Sequence, residues 1–184
     1  MKGSAMPTRL RKQQSRPSLT GLTAALVAAA AIGLAYAGTQ AASHKPSTGG
    51  STAGPTLYLS PSSQNFTIGQ QYIVEVRENS GTTTVNALQA NLSYPASLLT
   101  VAAIDSTASD FSVNAQSADL GGTIAIARGN VAPLSGDHLV GRVTFYARAR
   151  GTANVDFTTG TSLVDSVNNQ NVLAASPGGQ FRIR

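Results

Sequence analysis

The sequence predicts an all-β domain, an antiparallel sandwich of about nine strands over residues 57–184, preceded by one N-terminal hydrophobic helix. Three observations predict it. Short runs rich in Val, Ile, Leu, Tyr and Phe alternate apolar with polar positions. Clusters of Gly, Pro, Asn, Ser and Asp separate the runs, and no segment sustains a helical period. A domain of this length buries roughly two-thirds of its unfolded surface, enough for a single core without crosslinks.

The strands follow in order. In Gln71 to Glu78, Tyr72, Val74 and Val76 face a core while Ile73, Glu75 and Arg77 face outward, with Gly69 supplying the preceding turn. In Val85 to Tyr94, Leu88, Ala90, Leu92 and Tyr94 share one face and Gln89, Asn91 and Ser93 the other; Pro95, lacking an amide donor, ends the ladder. Leu98 to Ile104 is almost wholly apolar, as expected of a strand covered on both sides. Phe111 to Ala115 and Thr123 to Arg128 come next, the latter alternating Ile124 and Ile126 with small residues. The longest run, Leu139 to Arg150, points Val143, Phe145, Ala147 and Ala149 inward and Arg142, Thr144, Tyr146, Arg148 and Arg150 outward. Gly151 turns the chain; Val155 with Phe157, Leu163 with Val164, and Phe181 with Ile183 complete the set.

The charge of +5 is confined to the leader. Residues 1–45 carry six basic groups and no acid, whereas residues 46–184 carry seven arginines against eight acids, so the domain has no net attraction for nucleic acid. After the basic segment 1–18, residues 19–37 are uncharged. As a helix they would span roughly 28 Å, close to a bilayer's hydrocarbon thickness. Ala35-Tyr36-Ala37 also suits a signal peptidase, so both an uncleaved anchor and a cleaved signal remain open. Either places the remainder outside the cytoplasm, at the cell surface or secreted. Residues 38–56 are mostly Gly, Ser, Thr, Ala and Pro, with two basic groups, His44 and Lys45, and no bulky apolar side chain, the composition of a flexible tether on which His44 is a solvated residue.

The absence of Cys excludes disulfides, thiolate catalysis and cysteine-ligated metals, and two histidines are too few for most histidine-rich sites. No cofactor is indicated. Ser135, Asp137 and His138 are too close in sequence to form a nucleophile–base–orienter relay, and the domain's aspartates fall near turns, where Asp is favoured for backbone reasons. Asp165-Ser166-Val167-Asn168-Asn169 is oxygen-rich but lacks the acid density of a calcium loop.

Three ordered blocks together resemble a cohesin domain. They are Phe66-Thr67-Ile68-Gly69 leading into Tyr72 to Val76; Ala87 to Tyr94 followed by Ser97-Leu98-Leu99 and Val101; and Leu134-Ser135-Gly136-Asp137 followed by Leu139 to Ala149 and Gly151-Thr152-Ala153. The chain departs from the family's pattern at Pro95, where Asp is usual, and at Ala90, where a larger apolar residue is usual. The resemblance implies a jelly-roll sandwich, no catalysis, and capture of a dockerin-type helical partner on one sheet face in a polysaccharide-degrading or adhesive surface assembly. That face is expected on the outward residues of Val85–Tyr94 and Leu139–Arg150, with Gln89, Asn91, Arg142, Tyr146 and Arg148 as contact candidates; Tyr and Arg commonly dominate binding energy. Direct polysaccharide binding is the competing expectation. With no Trp, and with Tyr72 and Tyr94 expected inside, only Tyr58 and Tyr146 could offer rings to a sugar, leaving a Gln, Asn and Arg groove for a soluble glycan. A structural spacer is the third.

Overall fold

A computed structural model describes residues 54–184. The basic leader, the expected hydrophobic helix at 19–37 and the tether as far as residue 53 lie outside the described residues. Eleven strands form two facing sheets: β1 (Thr56–Ser60), β2 (Ser63–Phe66), β3 (Gln71–Asn79), β4 (Val85–Ser93), β5 (Leu99–Asp105), β6 (Val113–Asp119), β7 (Thr123–Leu134), β8 (Asp137–Ala147), β9 (Gly151–Phe157), β10 (Ser162–Asp165) and β11 (Gly179–Ile183). The smaller sheet runs β1-β3-β8-β5. The larger runs β2-β11-β9-β4-β7-β6, with β10 against β4. Among the described residues no helix is long and apolar enough to cross a membrane.

The alternation drives the sandwich. Leu57, Leu59, Val74, Val76, Val143 and Phe145 from the smaller sheet meet Leu88, Ala90, Leu92, Ile124, Ile126, Val155 and Phe181 from the larger, all nearly sealed from water. Each large side chain so buried contributes about 1.5–3 kcal/mol. Phe66 stacks on Tyr72 with ring centroids 4.0 Å apart and on Phe181 at 4.8 Å, while Tyr94 meets Phe145 edge-on at 5.6 Å. Tyr94 is buried as expected and its hydroxyl donates to Asp119.

Four expectations need correction. The sheets hold eleven strands, not nine: β1 and β2 are extra, β2 because Ser63-Gln64-Asn65-Phe66 offers one apolar residue and no alternation to read. The sandwich is not wholly antiparallel, since β2 runs parallel to β11. β5 is an edge strand rather than one covered on both faces; a register shift between Val101 and Ala103 leaves Ala102 and Ala103 exposed, and small alanines mimic a buried run. Finally, β8 ends at Ala147, so Arg148 to Arg150 form the connection to β9 and Ala149 is only half-buried.

Candidate partner-binding face

The five candidate contact residues do not share one face. β4 belongs to the larger sheet and β8 to the smaller, so their outward side chains lie on opposite sides of the sandwich. Gln89 and Asn91 stand on one face, Arg142 and Tyr146 on the other, and Arg148 follows the end of β8. Each strand's parity is as expected; the pairing that assigns strands to sheets is a long-range property that parity does not carry.

On the smaller sheet the outer face is tied up internally. Arg77 donates to Asp137 from Nη2 at 2.8 Å and Nε at 3.0 Å, and from Nη1 to Glu75 at 3.1 Å. Arg142 Nε donates to the other oxygen of Glu75 at 3.0 Å, and the Tyr58 hydroxyl donates to Asp137. Partial burial opposes ionisation of Asp137, but hydrogen bonds from Tyr58 and Arg77 outweigh it and hold its carboxyl below the ordinary range. Arg142 and Tyr58 are therefore components of a lattice rather than free anchors. Tyr146, 40% exposed, stands opposite Gln71, and the exposed Ile73 is the next outward position on β3; Arg148 donates its amide to Leu98 O at 2.8 Å and its guanidinium reaches Ala96 O at 3.4 Å.

The outer face of the larger sheet carries no charged side chain at its centre. Register places Ser162, Gln89, Ala127 and Gln116 in one row across β10, β4, β7 and β6, with Asn91, Ala125 and Ala118 in the next. A third row runs from Ala87 through Gly129 to Val113, where a side chain on Gly129 would touch Val113 at 3.7 Å. Val113 is half exposed, and Val131 projects from β7 at a bulge where four residues between Gly129 and Leu134 stand against the single Asn86 of β4. Small side chains flanked by valines let another backbone approach closely. Ala125, Ala127, Gln116 and Val113 were missed from sequence, although the alternation of Ile124 and Ile126 with alanines was the available signal.

Asn91 also has a local duty. Its Nδ2 donates to Thr159 O at 3.2 Å, its amide donates to the Thr161 hydroxyl at 3.2 Å, and its carbonyl accepts from Thr158 N at 2.8 Å, fastening the β9–β10 turn. Gln89 Nε2 donates to Asn91 Oδ1 at 2.7 Å, which orients both amides.

The other sequence candidates have structural explanations. His138 Nε2 meets the backbone oxygen of Ser135 at 3.0 Å, not its hydroxyl, and Nδ1 lies 3.6 Å from Asp110 rather than Asp137. Asp165 Oδ1 accepts from Val167 N at 2.7 Å and Asn168 N at 3.2 Å, a turn that occupies the carboxylate. Two buried charges were not anticipated. Glu78 is fully buried, and loss of water pushes its carboxyl up to about 7, an effect His138 partly offsets. Arg128 is 4% exposed; its Nη2 donates to Ser117 at 3.2 Å, its Nε has no partner, and burial lowers its guanidinium. Both occupy inward positions, in phase with the buried Val74 and Val76 of β3 and Ile124 and Ile126 of β7.

No protein-family model matches the chain, and no curated protein matches it in sequence. Solved structures do. The sixth cohesin of scaffoldin B from Acetivibrio cellulolyticus, solved in complex with a Cel5 dockerin, superposes with a TM-score of 0.61 at 16% identity, covering 71% of this chain and 99% of that one. A non-cellulosomal cohesin from the hyperthermophilic archaeon Archaeoglobus fulgidus gives 0.60 at 21% identity, covering 72% and 92%. A cohesin module of a family 33 glycoside hydrolase from Clostridium perfringens gives 0.57 at 14%, covering 71% and 96%. At these identities the likeness establishes architecture, and it spans nearly all of each module: the described domain has the cohesin fold.

Proposed function

We propose that the chain is a non-catalytic, extracytoplasmic protein-binding module that captures a dockerin-like helical partner within a polysaccharide-degrading or adhesive surface assembly. Residues 19–37 would anchor it or direct its export, and residues 38–56 would tether the sandwich. The observation that carries this reading is the fold, shared with modules solved in complex with dockerins. The two outer faces then differ in fitness for the task. The smaller sheet is committed to the Tyr58–Asp137–Arg77–Glu75–Arg142 lattice, whereas the rows through Ala125 and Ala127 present small, uncharged residues against which a helix can lie. The contact set is accordingly Gln89 and Asn91 from β4 with Ala127, Gln116 and Val113 beside them.

The test is retention of the full chain on immobilised dockerin modules. Ala127→Arg, which raises a charged side chain at the centre of the larger face, is expected to abolish retention. Thr144→Arg, on the opposite face, is expected to leave it intact. Loss with Thr144→Arg and not with Ala127→Arg would transfer the site to the smaller sheet.

A further inference from the structure

Four of the domain's seven arginines, Arg148, Arg150, Arg182 and Arg184, lie toward one end of the sandwich, and among the described residues none is paired with an Asp or Glu side chain. The other three are held by Glu75 and Asp137 or buried. A domain that is nearly neutral overall is therefore polarised. Two shallow clefts meet at this end and share Arg182. One, of about 290 Å³, is lined by Ser63, Asn65, Gln180 and their neighbour on β2. The other, of about 400 Å³, is lined by Arg150, Arg184 and the Gly151–Thr152 backbone.

The rows of the β2–β11–β9 corner explain how the clefts form. Register puts Asn65, Arg182 and Thr152 in one row and Ser63, Gln180 and Asn154 in the next, while Phe181 and Ile183 turn inward to the core. Gln180 Nε2 donates to Asn154 Oδ1 at 3.2 Å, which holds the second row in place. The surface is thus a guanidinium cluster continuous with an apron of amides and hydroxyls. Among the described residues no aromatic ring lines either cleft, so they offer no stacking platform for a neutral crystalline polymer. Among the described residues Ile183 is the only bulky apolar one in the lining and it is buried, so an amphipathic helix has nothing to seat on. Guanidinium forks match carboxylates, and neighbouring side-chain amides match hydroxyl pairs. A ligand that presents both together, repeatedly, is a polymer of sugar acids.

We infer that the corner where Arg150, Arg182 and Arg184 meet Asn65, Gln180 and Ser63 binds an acidic, uronate-containing polysaccharide. The position fits an outward-facing site. The chain enters the domain at Thr56, paired with Asn79 at the far end of β3, whereas Ile183 and Gly151 pair at the end where Gln70 and Ala147 also meet. The site does not depend on the protein-binding face of the β4–β7–β6 region.

The experiment measures affinity of the full chain for polygalacturonate at low salt, with poly-glutamate as a polyanion lacking hydroxyls. The basic leader is common to every form compared and cancels in ratios of variant to wild type. The triple variant Arg150→Ser, Arg182→Ser, Arg184→Ser is expected to lose about tenfold or more on polygalacturonate, and less on poly-glutamate. Gln180→Ala is expected to lose severalfold on polygalacturonate and nothing on poly-glutamate. These side chains are exposed, so unfolding midpoints should match wild type. Equal retention of the triple variant on polygalacturonate would overturn the inference. So would losses of equal size on both polymers, since those report a general polyanion surface. A Gln180→Ala form that binds polygalacturonate as wild type does would equally remove the sugar-specific part and refute the assignment.

Discussion

Glu78 on β3 lies directly opposite His138 on β8, and both of its carboxylate oxygens are sealed from water without a hydrogen-bond partner among the described residues. Asp137 and Asp110 are its other titratable neighbours, and across the β1 side it faces Leu57. Its carboxyl is raised from 4.5 to about 7 in the folded protein, chiefly by burial. Between those values the native state holds a proton that the unfolded chain has released, so stability falls as pH rises through that window. The loss is on the order of 3 kcal/mol, complete above the folded value and absent below the unfolded one. Glu78→Gln should flatten this slope and exceed wild type in stability at about pH 8 while matching it more closely at about pH 5. Urea unfolding at the two pH values reads the difference, and an unchanged slope would assign the titration elsewhere.

Asp137 acts with the opposite sign. Its carboxyl is held below its ordinary value in the folded state by Tyr58 and Arg77, so its contribution is present above the unfolded value and disappears as pH falls through the folded one. Arg77→Ala removes the guanidinium that joins Asp137 to Glu75. Because this side chain is a quarter exposed, the expected cost at neutral pH is about 1–2 kcal/mol, smaller in high salt. Arg77→Lys should recover only part of it, since one ammonium cannot reproduce the two nitrogens that reach Asp137. Full recovery in denaturant titrations would show that charge alone matters.

The long strands β3, β4 and β8 were legible over their alternating stretches, Tyr72 to Glu78, Ala87 to Ser93 and Arg142 to Ala147, because each residue's inward or outward aspect is a local property of a pleated chain. Edge strands were not. β2 has one core residue, and β5 changes parity at a shift that nothing in Thr100-Val101-Ala102-Ala103 announces. The candidate face failed for a related reason: Gln89 and Arg142 each point outward as read, but whether β4 and β8 share a sheet depends on partners distant in sequence. Glu78 was assigned to its strand correctly, yet nothing in its local sequence distinguishes a buried glutamate from a solvated one at a strand's end.

Val143 tests the parity itself. It is paired with Val74 on β3 and Ile104 on β5 and is 1% exposed. Val143→Asp strands a carboxylate in the core and should abolish cooperative unfolding. Thr144→Asp, one residue along and facing outward, should shift stability by about 0.5 kcal/mol or less. Thermal melts distinguish them, and a normal transition for Val143→Asp would refute the inward assignment.

Gln89 and Asn91 look alike in sequence but divide their work. Asn91 holds the β9–β10 turn through Thr159, and the turn in turn closes on it: Gly160 sits at φ 86°, and a side chain there would come within 2.9 Å of Asn91 Nδ2. Asn91→Ala removes the bond to Thr159 and the acceptor for Gln89, and should cost about 1–2 kcal/mol. Gly160→Ala adds a left-handed conformation to a close contact and should cost a similar amount. Gln89→Ala loses only its bond to Asn91 and should leave stability within about 0.5 kcal/mol. If the β4–β7–β6 face receives the partner, Gln89→Ala nonetheless weakens capture, because it empties the row between Ser162 and Ala127. A Gln89→Ala form with unaltered melting and weakened retention on dockerin modules separates recognition from scaffolding. If retention is unaltered as well, Gln89 is an ordinary solvated strand residue and the face must be centred on Ala127 and Val113 instead.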